Sequence, residues 1–137
     1  MPLDPVLLDN TKAWFAKARK DIYSAEIDLA ASPPAVEDAL FHCQQAVEKA
    51  LKGFLTWHDE PFGKTHQLRV IGAQCVELDS TLDSLVARVR PLTEFAWKFR
   101  YPGATYEPTI QEGRDALALA REAVEAILGR LPDEVRL

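Results

Sequence analysis

Two groups of residues in this chain have the types and the spacing to do chemistry. The first is Lys98-Phe99-Arg100-Tyr101-Pro102-Gly103, with Tyr106 close behind. A Pro-Gly pair favours a turn directly after a helix. Arg100 then stands at a helix end, where a cation is favoured. A guanidinium fork matches phosphate oxygens, and a tyrosine ring can stack on a base. Across residues 88–100, Arg88, Arg90, Lys98 and Arg100 are set against one acid, Glu94. That is a local positive patch, and it equally suits a helix C-terminus whose arginine only satisfies the dipole. The second group is the row His42, Gln45, Lys49 and Lys52, which recurs at helical spacing and shares one helix face. It fits a solvated face, with Glu48 and Lys52 as a favourable i,i+4 pair. It also fits a polar groove for a phosphate or an acidic partner.

Other chemistries lack a signature. His42, His58 and His66 form no HExxH and no i,i+4 pair, and no Cys/His cluster occurs. No functional metal site is expected on that pattern. The glycines make neither GxGxxG nor a Walker loop, and there is no GxSxG elbow. No cofactor is expected. Cys43 and Cys75 have no CxxC spacing, so they read as two reduced thiols packed like small hydrophobes.

The elements that must position these residues are helical. Trp14, Ala18, Ile22, Ala25 and Leu29, with Phe15 beside them, predict a first helix from about Asn10 to Ala31, with Asp9 or Asn10 as cap. Ser32-Pro33-Pro34 ends it. Val36, Leu40, Cys43, Val47, Ala50, Leu51 and Phe54 predict a second helix over about 35–57. Residues 58–64 read as a loop. Thr65 can cap a third helix from Gln67 to about Leu78. Ser80-Thr81-Leu82-Asp83 resembles a capping box before a helix from Leu82 to about Phe99, whose stripe includes Phe95 or Ala96. Pro91 should kink or interrupt that helix. Residues 100–108 read as a loop. Thr109-Ile110-Gln111-Glu112 is a better capping box, opening a last helix to about Leu131. No strand alternation is convincing. The expectation is an all-α antiparallel bundle of four to five helices, a single domain over 1–137 with its core at about 10–131.

Length and composition agree. A chain of 137 residues, 47% hydrophobic and 27% charged, suits one globular domain. Its formal charge of −5 argues against a basic coat that grips nucleic acid nonspecifically, although a local basic site is compatible with it. No run of about 18 apolar residues predicts a membrane span. Met1-Pro2-Leu3-Asp4-Pro5 has no secretory pattern, so the expected location is cytoplasmic.

Three blocks carry a family resemblance. Residues 39–52, with Gln44-Gln45-Ala46 and Glu48-Lys49-Ala50-Leu51-Lys52, resemble the "QQA-EKALK" helix of HEPN-domain proteins. Lys64-Thr65-His66-Gln67-Leu68 is similar to the family's "KTHDL", and Phe99-Arg100-Tyr101-Pro102-Gly103 to its "RYPG". The blocks occur in the family's order. The resemblance implies an antiparallel helical bundle, usually a homodimer, and a small nucleotidyltransferase as partner in toxin–antitoxin-like pairs. The candidate ligand-binding residues are Arg100, Tyr101, Pro102, Gly103, Tyr106, His42, Gln45, Lys49, Lys52 and His66. Some HEPN proteins are metal-independent ribonucleases, with an arginine followed a few residues later by histidine. Here no histidine follows Arg100. Tyr106 stands at a comparable spacing, but a phenol is a poor base at neutral pH.

The first functional expectation is therefore a HEPN subunit that binds a nucleotide or RNA phosphate and pairs with a nucleotidyltransferase, without being an enzyme on its own. The alternatives are a ribonuclease toxin using Arg100 as catalytic residue, and a structural helical interaction protein.

Overall fold

A computed structural model describes residues 3–99, 101–103 and 106–136 of the chain. Among these the architecture is all-α. The helices are α1 (Pro5–Ala30), α2 (Val36–Trp57), α3 (Leu68–Leu78), α4 (Asp83–Val89), α5 (Pro91–Lys98) and α6 (Ile110–Leu128), with 3-10 turns at Ser80–Leu82 and Asp133–Arg136.

Local chemistry sets the ends. Asp4 Oδ1 accepts from the Val6 amide at 2.9 Å and from Leu7 at 3.4 Å, and Pro5 occupies the first helical turn. The Asp-Pro pair therefore starts α1 more than a turn before the expected Asp9 or Asn10 cap, because proline supplies a preset φ and lacks the amide that a first turn leaves unpaired. Pro91 divides the helix expected over 82–99 into α4 and α5, with Arg90 still helical between them. Asp79, rather than Ser80, caps the entry to α4: its carboxylate accepts from the Thr81 amide at 3.0 Å and from the Thr81 hydroxyl. The Thr109–Glu112 capping box forms in both directions, each bond at 3.1 Å. Thr65 accepts from Gln67 ahead of α3, whereas the first amide of α3, at Leu68, donates to Thr93 Oγ1 on α5 at 3.1 Å.

Helix α2 is the centre of the bundle and packs against α1, α3, α5 and α6. It runs antiparallel to α1: Phe15 lies against Gly53, Asp21 against Lys49, and Asp28 against Asp38. Phe15, Leu51, Phe54, Leu55, Leu68, Ile71, Leu82, Ile127 and Leu128 are fully buried, each contributing about 1.5–3 kcal/mol. On α1 the buried line is Phe15, Ala18, Asp21 and Ala25, with Trp14, Ile22 and Leu29 half-buried beside it. The stripe is thus rotated from the one the apolar residues alone suggest, and an acid lies within it. Gly53 permits the close crossing of α1 and α2, since a Cβ there would stand 2.7 Å from the Phe15 ring. Cys43 and Cys75 are buried free thiols, and burial pushes both up to about 12. The side chains at 95 and 96 lie outside the described ones.

Candidate functional site

The predicted row on α2 is half-buried rather than solvated. Lys49 and His42 are held by acids. Lys49 Nζ contacts Asp21 Oδ2 at 2.6 Å, and His42 Nδ1 lies 2.8 Å from Asp21 Oδ1. Asp21 comes from α1, so this cluster ties the two longest helices together. His42 Nε2 also lies 3.4 Å from Asp38 Oδ2, one turn earlier on α2.

A second cluster surrounds Glu48, which is only 3% exposed. Its carboxylate takes Lys52 Nζ at 3.0 Å, Gln44 Nε2 at 3.1 Å and His66 Nδ1 at 3.1 Å. Gln44 also donates to the His66 carbonyl at 3.0 Å, and Gln45 donates to Gln44 at 2.8 Å. Lys52 sits over the rings of Trp14 and Phe62, 5.8 and 5.7 Å from their centroids. Among the described residues no buried side-chain atom of this cluster lacks a partner, so the burial is tolerated. His66 differs from its neighbours in exposure. Its side chain is 58% exposed while Glu48 anchors one ring nitrogen. Trp97 on α5 flanks it at 6.2 Å, and Phe41 joins Trp97 to His42 through edge contacts at 5.4 and 5.5 Å. The fold therefore gathers these residues in two neighbouring clusters, His42 and Lys49 on Asp21, and Gln45, Lys52 and His66 around Gln44 and Glu48, with Lys52 enclosed and His66 exposed.

The residues of the turn after α5 distribute differently. Tyr101 is exposed, and Gly103 at φ +93° gives the turn its left-handed step. Pro102 lies between them in the turn. Arg100 lies outside the described residues. Tyr106 packs on Phe99 and its hydroxyl donates to Glu112, the capping residue of α6. The bond to Glu112 raises Tyr106 above the usual phenol range, so it is even less suited to act as a base. The positive patch is also thinner than the sequence suggests. Arg88 makes a two-pronged pair with Glu122 on α6, both contacts at 2.7 Å. Arg90 instead lines a shallow pocket with Gln67, Arg69 and Thr93.

The family model for the HEPN domain matches residues 11–131. The chain belongs to the HEPN family. No curated protein and no solved structure matches it. Membership gives this HEPN chain a role connected with nucleotides or RNA, and an all-α bundle is the fold expected of it. No helix among the described residues is long and apolar enough to cross a membrane.

Reading the row as a solvated face misses Asp21, Gln44, Phe41 and Trp97, and it pairs Glu48 with Lys52 without placing either in the interior. A signal was present for three of them. Asp21 interrupts the stripe Ala18–Ala25, and Gln44, Glu48, Leu51 and Leu55 share a helical line on α2. A polar residue within a buried line requires a buried partner. Phe41 and Trp97 carry no such mark, because their contact depends on how α5 crosses α2.

Proposed function

We propose that this HEPN chain is a binding subunit that takes a nucleotide or RNA phosphate along the His66 face of α2. In this reading it acts as a cytoplasmic homodimer and pairs with a small nucleotidyltransferase in a toxin–antitoxin-like system. One observation carries the ligand part: His66 is presented to solvent while the buried Glu48 carboxylate fixes its ring, with Trp97 alongside. In its protonated form the fixed ring donates from Nδ1 to Glu48 and from Nε2 to solvent, and such a donor beside an aromatic face suits a phosphate next to a base. Arg100 and Tyr101 extend the site in sequence, two and three residues beyond the end of α5.

Calorimetric titration with ATP, GTP and short RNA tests the ligand. Wild type should bind one of them, with affinity falling at least tenfold in His66→Ala and Arg100→Ala. Binding by none of them, or equal binding by both variants, refutes the site. Light scattering tests the dimer. Co-purification with a nucleotidyltransferase encoded next to the gene tests the pairing.

A second reading, a metal-independent ribonuclease, is favoured by the same carboxylate–imidazole pair. Glu48 orients His66 much as a buried carboxylate orients a general base, supplying the histidine that the turn at Arg100 lacks. Chelator-resistant RNA cleavage abolished by both Arg100→Ala and His66→Ala supports it. Cleavage that persists in either variant rejects it.

A further inference from the structure

A third group of side chains gathers beside the His66 face, where α3 begins against α5. Gln67 and Arg69 at the start of α3, with Arg90, Thr93 and Glu94 in and just before α5, line one open pocket of about 380 Å³. We infer that Arg69 and Arg90 form a second phosphate subsite, which takes a further phosphate of a single-stranded RNA that has one nucleotide seated at His66 and Trp97. On the His66 reading above, on which this rests, the preferred ligand becomes an oligonucleotide rather than a mononucleotide.

Helical spacing aligns the two subsites. Arg90 has helical backbone angles, φ −51° and ψ −43°, so it continues the turns of α5. Arg90, Thr93, Glu94 and Trp97 then fall at i, i+3, i+4 and i+7, on one face of the helix. The chain that opens α3 lies along this face in the opposite order. The ring centres of His66 and Trp97 are 6.2 Å apart. The Leu68 amide donates to Thr93 Oγ1 at 3.1 Å, and Arg69 shares the pocket with Arg90. Seven residues at about 1.5 Å each separate the two ends by roughly 10 Å. A stacked strand rises about 3.4 Å per nucleotide, so this length covers roughly three.

The chemistry of the second end suits a phosphate. Both arginines are exposed. Among the described residues neither guanidinium is paired with an acid, whereas Arg88, Arg121, Arg130 and Arg136 each hold a carboxylate. Two guanidinium forks on one pocket match the oxygens of a phosphodiester. Thr93 accepts the Leu68 amide with an oxygen lone pair, which leaves its hydroxyl proton for a ligand oxygen. Of the residues lining the pocket only Glu94 is acidic, so the pocket keeps a net positive charge in a chain whose formal charge is −5.

The test compares AMP with the adenylate trinucleotide pApApA by calorimetric titration over a series of KCl concentrations. Wild type should bind the trinucleotide about tenfold or more tightly than AMP at low salt. Arg69→Ala/Arg90→Ala should lose most of that advantage and keep its AMP affinity within about twofold. Its salt slope should be shallower by about 0.7 for each phosphate contact removed. Both side chains are exposed, so this variant should fold with an unchanged circular dichroism spectrum; should it misfold, Arg69→Gln/Arg90→Gln decides. His66→Ala should weaken both ligands. Equal wild-type affinity for the two ligands, or an advantage kept by the folded arginine variant, overturns the second subsite and leaves the His66 reading standing. Loss confined to the arginine variant, with His66→Ala binding both ligands as wild type does, overturns the His66 reading and leaves the arginines as the phosphate site. Binding of neither ligand overturns both. A hexaglutamate peptide that competes as well as the trinucleotide marks a general anion patch and overturns the RNA assignment.

Discussion

Replacing Glu48 with alanine separates the two roles of its cluster. The side chain is almost fully enclosed and accepts from Lys52, Gln44 and His66. Lys52 is only 8% exposed at its side chain, so removing the carboxylate leaves a buried ammonium without its counter-charge. Breaking a buried pair in this way costs about 3–5 kcal/mol. At roughly 3–5 °C per kcal/mol for a domain of this size, the melting temperature should fall by about 10–25 °C. The double variant Glu48→Leu/Lys52→Met should recover most of that loss. Apolar replacement of both partners of a buried pair is often neutral, and a methionine can pack on the Trp14 and Phe62 rings that now flank Lys52. Urea titration at constant m-value measures both effects. A single-variant loss below about 1 kcal/mol would mean that Lys52 reaches water or another acid, and the cluster would not be the buried unit described. A double variant as unstable as the single would show that Glu48 is needed for its bonds to Gln44 and His66 instead. The double variant also removes the anchor of His66. It should therefore be stable and yet bind nucleotide more weakly, an outcome that a merely structural cluster would not produce.

Gly53→Ala should destabilise by about 1–3 kcal/mol, because its Cβ would stand 2.7 Å from the enclosed Phe15 ring; thermal melting checks it, and a loss within about 0.5 kcal/mol means that the helices slide apart freely. Cys43 and Cys75, pushed up to about 12 by burial, should resist a thiol reagent at pH 8 in native protein and react fully in denaturant; rapid native labelling would contradict their burial. Asp28 is raised from 3.8 to about 6, first by burial and then by Asp38, with His42 opposing. Its unfolded form ionises first, so stability should fall as pH rises from about 4 to 6. At ~1.4 kcal/mol per unit the limit is about 3 kcal/mol, reduced to about 1 by solvent access. Asp28→Asn should lose this slope and be more stable at pH 7; an unchanged urea-derived slope would refute the assignment.

The fold was largely legible because helices announce themselves locally. Apolar residues three and four apart, the Thr109–Glu112 box and Pro91 each act within a turn or two of chain, so spacing alone located them. Where a cap came from elsewhere, local reading failed. The first amide of α3 is satisfied by Thr93, 25 residues away, and no nearby residue signals that. The apolar stripe of α1 begins well inside the helix and carries no sign of the Asp4-Pro5 pair that starts it.

For the candidate site, the sequence by itself determined which residues have useful chemistry: His42, Lys49 and Lys52 stand out by type and spacing, and His66 by the family resemblance. Only the tertiary structure decided their partners and exposure. A row on one helix specifies a direction, whereas burial depends on what the adjoining helix places opposite it. Asp21 on α1 holds the two apparent surface side chains His42 and Lys49 in place, and Glu122 on α6 takes Arg88 out of the positive patch. The meeting of Asp28, Asp38 and His42 arises because α1 and α2 run antiparallel across the short connection between them. Residues ten and fourteen positions apart in the chain then share one end of the hairpin, which no periodicity within a single helix encodes.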